Sequence, residues 1–182
     1  LASNTVFSIQ ADNNGNHWVG TEKGVSRIDA SGNVENFNSK DGLGGDNIYK
    51  VFKDSKNRMW FASLGGFLTS FENGKFIKWD EKRNLSYKFI TSITEDLDGN
   101  IWFGAYGNGI FKFDGKEFSN YTTSDGLSSN TPYSLACDNN NEIWIGTNKG
   151  FDKFNPSEMT IKNYSENEGF MGVEPNPNAI CK

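Results

Sequence analysis

Asp96-Leu97-Asp98-Gly99-Asn100-Ile101-Trp102-Phe103-Gly104 is one of four near-copies of a single phrase. Its tryptophan is in register with Trp18, Trp60 and Trp144, each 42 residues from the next, and its first aspartate with Asp12, Asp54 and Asp138. A fixed period of this length marks a repeat architecture, in which one copy is a supersecondary unit that buries its apolar surface only against its neighbours. Within the phrase, Asp96 to Asn100 reads as a turn of residues that tolerate left-handed backbone, leading into a strand that begins near Trp102.

Each copy carries four short strand signals. In the first they are Thr5 to Ala11, His17 to Thr21, Val25 to Asp29 and Val34 to Phe37. The second copy offers Ile48 to Phe52, Trp60 to Ser63, Phe67 to Phe71 and Phe76 to Trp79, and the third and fourth repeat the plan. Four strands joined by short turns make one antiparallel meander. Alternation inside the strands is weak: Trp18-Val19, Trp60-Phe61, Trp102-Phe103 and Trp144-Ile145 place large apolar residues on both faces. Sheets covered on both faces read this way, and the small residue that follows each pair, Gly20, Ala62, Gly104 or Gly146, suits a close approach by a neighbour. The expected fold is all-β, with about four four-stranded β-propeller blades over residues 1–42, 43–84, 85–126 and 127–169. Residues 170–182 read as the start of a fifth blade, so the chain is expected to be a fragment of a longer propeller.

The chain has 23 acidic and 18 basic residues, a net charge of −5 and a pI near 4.9, which gives no footing for nucleic acid. No apolar run reaches the roughly 18 residues of a membrane span, so no membrane insertion is expected. Cys137 and Cys181 are too few and too far apart for a disulfide framework or a metal-like Cys-x-x-Cys spacing.

The Asp-rich turns superficially resemble half of a calcium loop, but they lack the glutamate at the twelfth position, and a hairpin turn accounts for their Asp, Asn and Gly. His17 is the single histidine, and no Gly-x-Ser-x-Gly elbow accompanies the serines. Neither a catalytic residue, nor a metal site, nor a cofactor is expected. Recognition belongs on the loops that depart from the repeat, where a rigid scaffold presents variable side chains. Loops between second and third strands and loops leading into each blade share one end of the sheets. The candidate ligand-binding residues there are Lys23, Leu64, Tyr106, Asn108, Asn148 and Lys149, with Tyr87 and Tyr133 where the chain enters a blade. Exposed aromatics and amides suit an oligosaccharide or another small ligand.

The pattern of an apolar strand, Asp-x-x-Gly-Asn-x-Trp, a small residue, a Gly before the third strand, and Asp-Gly-Leu ahead of the next copy resembles the two-component regulator propeller repeat. Asp96 to Gly104 is its cleanest instance, followed by Trp144-Ile145-Gly146-Thr147-Asn148-Lys149-Gly150. Other propeller repeats fit less well: an Asp-box would need aspartate where Leu97 stands, and neither the kelch double glycine nor the Trp-Asp ending of WD repeats is present.

This resemblance implies seven-bladed propellers, often in tandem, that form the periplasmic sensor region of histidine kinases and hybrid regulators. A small β-sandwich and a membrane helix follow, and some such receptors respond to oligosaccharides. The function expected is a non-catalytic ligand-sensing or interaction module in signal transduction, on the periplasmic or extracellular side of a bacterial inner membrane. Its partners would be the remaining blades of the propeller. Two alternatives stand beside it: a propeller lyase similar to streptogramin lyases, and a secreted protein-binding scaffold. A four-blade piece should also leave apolar sheet faces uncovered, which predicts self-association, in the form of a homodimer.

Overall fold

Short strands separated by tight turns account for almost all the regular structure of this protein, seen in a computed structural model that describes residues 1–65, 67–79 and 89–165. The first sheet consists of β1 (Val6–Ala11), β2 (His17–Thr21), β3 (Gly24–Ile28) and β4 (Val34–Phe37). The second has β5 (Ile48–Lys53), β6 (Met59–Ser63), β7 (Leu68–Glu72) and β8 (Lys75–Trp79). The third has β9 (Ile90–Glu95), β10 (Ile101–Ala105), β11 (Gly109–Phe113) and β12 (Phe118–Tyr121). The fourth has β13 (Pro132–Cys137), β14 (Ile143–Thr147), β15 (Gly150–Asn155) and β16 (Thr160–Tyr164). In every sheet sequence neighbours pair antiparallel, as the meander reading requires. The chain divides into two compact units, residues 1–90 with the first two blades and residues 91–182 with the third and fourth.

The repeated phrase folds as one device in all four blades. In the first, Asp12 Oδ1 accepts the backbone N–H groups of Asn14 and Asn16, both at 2.9 Å. Its Oδ2 accepts Trp18 Nε1 at 2.9 Å. Asp54, Asp96 and Asp138 repeat this with Trp60, Trp102 and Trp144 at 2.9, 2.8 and 2.9 Å. The turn carboxylate therefore satisfies the one polar atom of the indole that is buried six residues later. Burial alone would raise the pKa of Asp12 and of Asp138. The donors outweigh it, chiefly Asn16 and Trp18 for Asp12 and Trp144 for Asp138, with backbone N–H groups, and hold both carboxyls below their usual range.

Within the first unit, Trp18 leaves its own sheet and packs on Phe61 and Phe71 of the second, at 5.5 and 5.0 Å between ring centroids. Leu43, Ile48, Val51, Met59 and Phe61 complete that core with Trp18 and Val25. Within the second unit, Trp102 and Ile110 pack on Leu127, Leu135, Ile143, Ile145 and Phe154. The two faces of each strand pair thus serve two different packings, which is why alternation is weak. The expected close approach occurs at Gly20, where a Cβ would stand 2.8 Å from Ile48 O, and at Gly104, where it would stand 2.7 Å from Thr91 Oγ1 and 2.9 Å from Pro132 Cγ.

The loops leading into the blades are more ordered than their composition suggests. Ser39–Asp41 and Thr123–Asp125 form 3-10 turns, each closed by a capping box, Asn38 with Asp41 and Thr122 with Asp125. Gly42 and Gly126 end them at φ 113 and 110, left-handed backbone that favours glycine. The leucine that follows, Leu43 or Leu127, then plugs the core. Leu1 holds the equivalent position and is 55% exposed, and on the same side of the first sheet Ile9 is 62% exposed, where its counterpart Val51 is buried. In the fourth sheet, Trp144 is only half-buried while its three counterparts are fully buried. Cys137 is buried, and its thiol donates to Asp138 O at 3.4 Å. Cys181 and the expected fifth blade lie outside the described residues.

Candidate functional site

Each sheet has two ends. At one lie the Asp–Trp turns; at the other lie the hairpins between second and third strands, the starts of the innermost strands and the loops leading into the blades. Several charges at the turn end are already committed. A cavity of about 520 Å³ opens there in the first unit, lined by Asp12, Trp18, Arg27, Lys56, Arg58 and Phe71 among others. Asp12 holds Trp18, Arg27 pairs with Glu35, and Arg58 pairs with Asp54 at 2.6 Å. His17 opens β2 at this same end and is exposed. No group of three or more His, Cys, Asp or Glu side chains among the described residues could hold a metal ion.

The hairpin end carries the side chains expected from the sequence. Lys23 and Lys149 occupy equivalent turns whose backbone is fixed by a buried threonine. Lys23 N–H donates to Thr21 Oγ1 at 3.2 Å and Lys149 N–H to Thr147 Oγ1 at 3.0 Å. The threonine hydroxyls donate in turn to Gly24 O and Gly150 O. Both lysine side chains and Asn148 are exposed. Tyr106 stands at the tip of the third hairpin, 50% exposed. Asn108 is half-buried and its carbonyl accepts Asn120 Nδ2 at 2.9 Å. Leu64 is exposed, donates its N–H to Asn47 O at 2.9 Å and bridges to Phe89. Tyr133 is half-buried on β13. Tyr87 lies outside the described residues. Lys23 and Leu64 fall in the first unit; Tyr106, Asn108, Tyr133, Asn148 and Lys149 fall in the second.

An aromatic row that the sequence reading did not single out lies beside Leu64. Phe7 and Tyr49 rings are 5.7 Å apart, and Tyr49 meets Phe89 edge-on at 5.0 Å. Phe67 is exposed on the same hairpin as Leu64. A β-bulge explains how Phe7 and Tyr49 come to be there. On β1 the pairing jumps from Val6↔Thr21 to Ser8↔Gly20, on β5 from Ile48↔Ser63 to Lys50↔Ala62, and on β13 from Pro132↔Thr147 to Ser134↔Gly146. Phe7, Tyr49 and Tyr133 are the extra residues, set outside the ladder. A signal for this was present in the sequence. Ile48 and Val51 are both core residues yet three apart, a spacing that straight alternation cannot put on one face.

Asp152 is the one buried carboxylate of this end among the described residues. It accepts Ser128 N–H at 2.9 Å, Ser128 Oγ at 3.0 Å and Asn163 Nδ2 at 2.6 Å. Desolvation dominates over these donors and raises its pKa. Ser26 and Thr69 fill the same position in the first two sheets and likewise accept the incoming chain, from Ala2 N–H at 2.7 Å and Gly44 N–H at 2.9 Å. Asp152 therefore belongs to the scaffold that holds the lead-in loop.

Comparison with known proteins gives these ends a context. Residues 1–23, 42–65 and 126–149 match the two component regulator propeller family, three copies of the repeat from the lead-in loop to the second strand or the hairpin beyond it. No curated protein matches the sequence. Among solved structures, the extracellular domain of a hybrid two component system from B. thetaiotaomicron is similar over 97% of this chain and 25% of that one, at 20% identity and TM-score 0.86. A second such domain from the same organism covers 91% of this chain and 25% of that one, at 23% identity and TM-score 0.77. Virginiamycin B lyase from Staphylococcus aureus is similar over 88% of this chain and 55% of that one, at 17% identity and TM-score 0.71. At these identities the likeness shows the propeller fold alone. The chain spans about a quarter of the length of the regulator domains it resembles. No helix among the described residues is long and apolar enough to cross a membrane.

Proposed function

We propose that this chain, which is built from two-component regulator propeller repeats, serves as part of the ligand-sensing ectodomain of such a regulator, on the periplasmic or extracellular side of a bacterial inner membrane. The observation that carries this reading is the division of labour between the two ends of the sheets. At the turn end the carboxylate repeated in every copy is consumed in holding an indole. At the hairpin end, bulges and hairpin loops present Phe7, Tyr49, Phe89, Leu64, Tyr106, Asn108 and Lys149, side chains that are not repeated from copy to copy as the Asp–Trp pair is. Aromatic rings in one unit and an aromatic, amide and ammonium group in the other are each the kind of side chain that suits a small polyhydroxylated ligand such as an oligosaccharide, which stacks its C–H faces and needs both donors and acceptors. The module binds and does not turn over its ligand; its blades are residues 1–42, 43–84, 85–126 and 127–169, residues 170–182 start a fifth, and the remaining blades of the same propeller are its partners.

Titration calorimetry of the intact receptor ectodomain against an oligosaccharide panel tests this reading. A binding oligosaccharide should lose about tenfold or more in affinity on Tyr49→Ala or Tyr106→Ala and keep it on His17→Ala. Affinity lost through His17→Ala and kept in the tyrosine variants would move the site to the turn end. The shared fold with a lyase supplies a second reading, in which the chain opens a cyclic depsipeptide. Metal-dependent consumption of a streptogramin B substrate, abolished by EDTA, would establish that reading in place of the first.

A further inference from the structure

The cavity of about 520 Å³ at the turn end of the first two sheets is lined by Arg27, Lys56 and Arg58, and comparison of the repeats shows how much of that charge the scaffold needs. Arg58 donates Nε to Asp54 Oδ2 at 2.6 Å. In the first and third blades an asparagine does the same work, Asn16 Nδ2 to Asp12 Oδ2 and Asn100 Nδ2 to Asp96 Oδ2, both at 2.8 Å. Holding the turn takes one donor, and the guanidinium brings two further nitrogens to the cavity wall. Arg27 lies 5.5 Å from the ring of Trp18 and 5.7 Å from that of Phe37, and one of its nitrogens, Nη2, meets Glu35. Lys112 and Lys153 fill that place over Trp102 and Trp144, so the stack asks for a cation and not for a planar fork. Lys56 is exposed, and Asn14, Asp98 and Asn140 stand at its position in the other blades.

The carboxylates that line the same cavity are already engaged. Asp12 accepts the N–H groups of Asn14 and Asn16, Asn16 Nδ2 and Trp18 Nε1, and Glu72 stands opposite Lys75 in the β7–β8 ladder. Half-buried Phe71 adds an aromatic face to the lining, and Asn57 and Asn73 add amides. At the same place in the second unit Glu142 stands for Arg58 and pairs with Lys153 at 2.9 Å, and Asn140 stands for Lys56. The cationic lining is therefore a departure from the repeat and not a part of it. Guanidinium forks match a carboxylate, amides match hydroxyl groups, and an aromatic ring matches the C–H face of a sugar.

We propose that this cavity is a binding site for a hexuronate, with the sugar carboxylate held by Arg27 and Arg58, Lys56 adding charge at the rim, and the ring hydroxyls on the amides. The site lies at the opposite end of the sheets from the aromatic row, goes beyond the sensing role assigned to that row and does not depend on it.

Titration calorimetry of the full chain with D-glucuronate and D-galacturonate, against D-glucose as the neutral control, tests the proposal. At least one uronate should bind about tenfold or more tightly than glucose, and its affinity should fall as salt is raised. The repeat itself supplies variants that keep the scaffold: Arg58→Asn restores the asparagine of the first and third blades, and Arg27→Lys the lysine of the third and fourth. Each should lower uronate affinity about tenfold or more, and Lys56→Asn about threefold, with circular dichroism unchanged. Lys116→Asn, which removes the same charge from an exposed turn of the third blade, should leave uronate affinity as it is. If Arg58→Asn unfolds the chain, Arg27→Lys and Lys56→Asn decide the outcome. Uronates that bind no better than glucose, or a uronate affinity that survives Arg27→Lys and Lys56→Asn, would overturn the proposal.

Discussion

Asp96 and Trp102 are six residues apart and hold each other across a hairpin turn, with the carboxylate 5% exposed and the indole fully buried. An asparagine at 96 keeps an oxygen for the backbone N–H groups of Asp98 and Asn100 but turns an NH2 toward the indole N–H. Asp96→Asn should therefore cost about 1–3 kcal/mol in urea unfolding, the penalty of an unsatisfied buried donor. Pairing it with Trp102→Phe should recover the polar part of that loss. The aspartates also set the acid response. The stability that Asp12 and Asp138 contribute through their lowered pKa is complete above the unfolded value near 4 and disappears as pH falls through their folded values. Asp152 runs the opposite way. Its raised pKa gives a contribution that is full below the unfolded value and lost as pH rises through the folded one. Urea unfolding of Asp152→Thr, the residue used at Thr69, should show the variant gaining on the parent as pH is raised from about 4 to 7.

At the scale of the strand and its neighbours, the blades share a stack of cation, indole and outer-strand aromatic. Arg27, Lys112 and Lys153 lie over Trp18, Trp102 and Trp144, which stack on Phe37, Tyr121 and Tyr164. The second blade reaches the same stack with different residues. Its outer ring is Trp79, which donates Nε1 to Ser70 at 3.2 Å; Ser70 occupies the usual place of the cation, and Arg58 from the turn covers Trp60 instead. Ser70→Ala and Trp79→Phe should be coupled in a double-mutant cycle by about 0.5–3 kcal/mol, since each is tolerated better once the other is made. Gly104→Ala should cost about 1–3 kcal/mol by overpacking against Thr91 and Pro132. The strands themselves were legible from Trp102-Phe103-Gly104, because a 42-residue period aligns four copies and averages out local ambiguity. Bonds that depend on direction were less so: nothing in Asp96 states that its second oxygen will meet Trp102 Nε1, and capping boxes at Asn38 and Thr122 hide in loops that read as plain turns. Tyr106 and Lys149 could be placed in hairpins between second and third strands from the register of the repeat, whereas Tyr49 reads in the sequence as an ordinary strand residue and only the bulge sets it apart.

For the molecule as a whole, the first sheet leaves uncovered the face that its counterpart in the second sheet buries, with Leu1, Val6, Ile9 and Val34 exposed. Contiguous apolar surface of this kind favours association. Light scattering should find the isolated chain self-associating, and Ile9→Lys should shift it toward monomer without changing its circular dichroism. The bulges at Phe7, Tyr49 and Tyr133 have a consequence of another order. By admitting one extra residue, β1, β5 and β13 keep their core side chains in place while setting one further side chain outside the ladder. A change at one of those three positions leaves the strand pairing as it is, so chains that share this repeat have a ready-made vocabulary of surface change while continuing to fold alike.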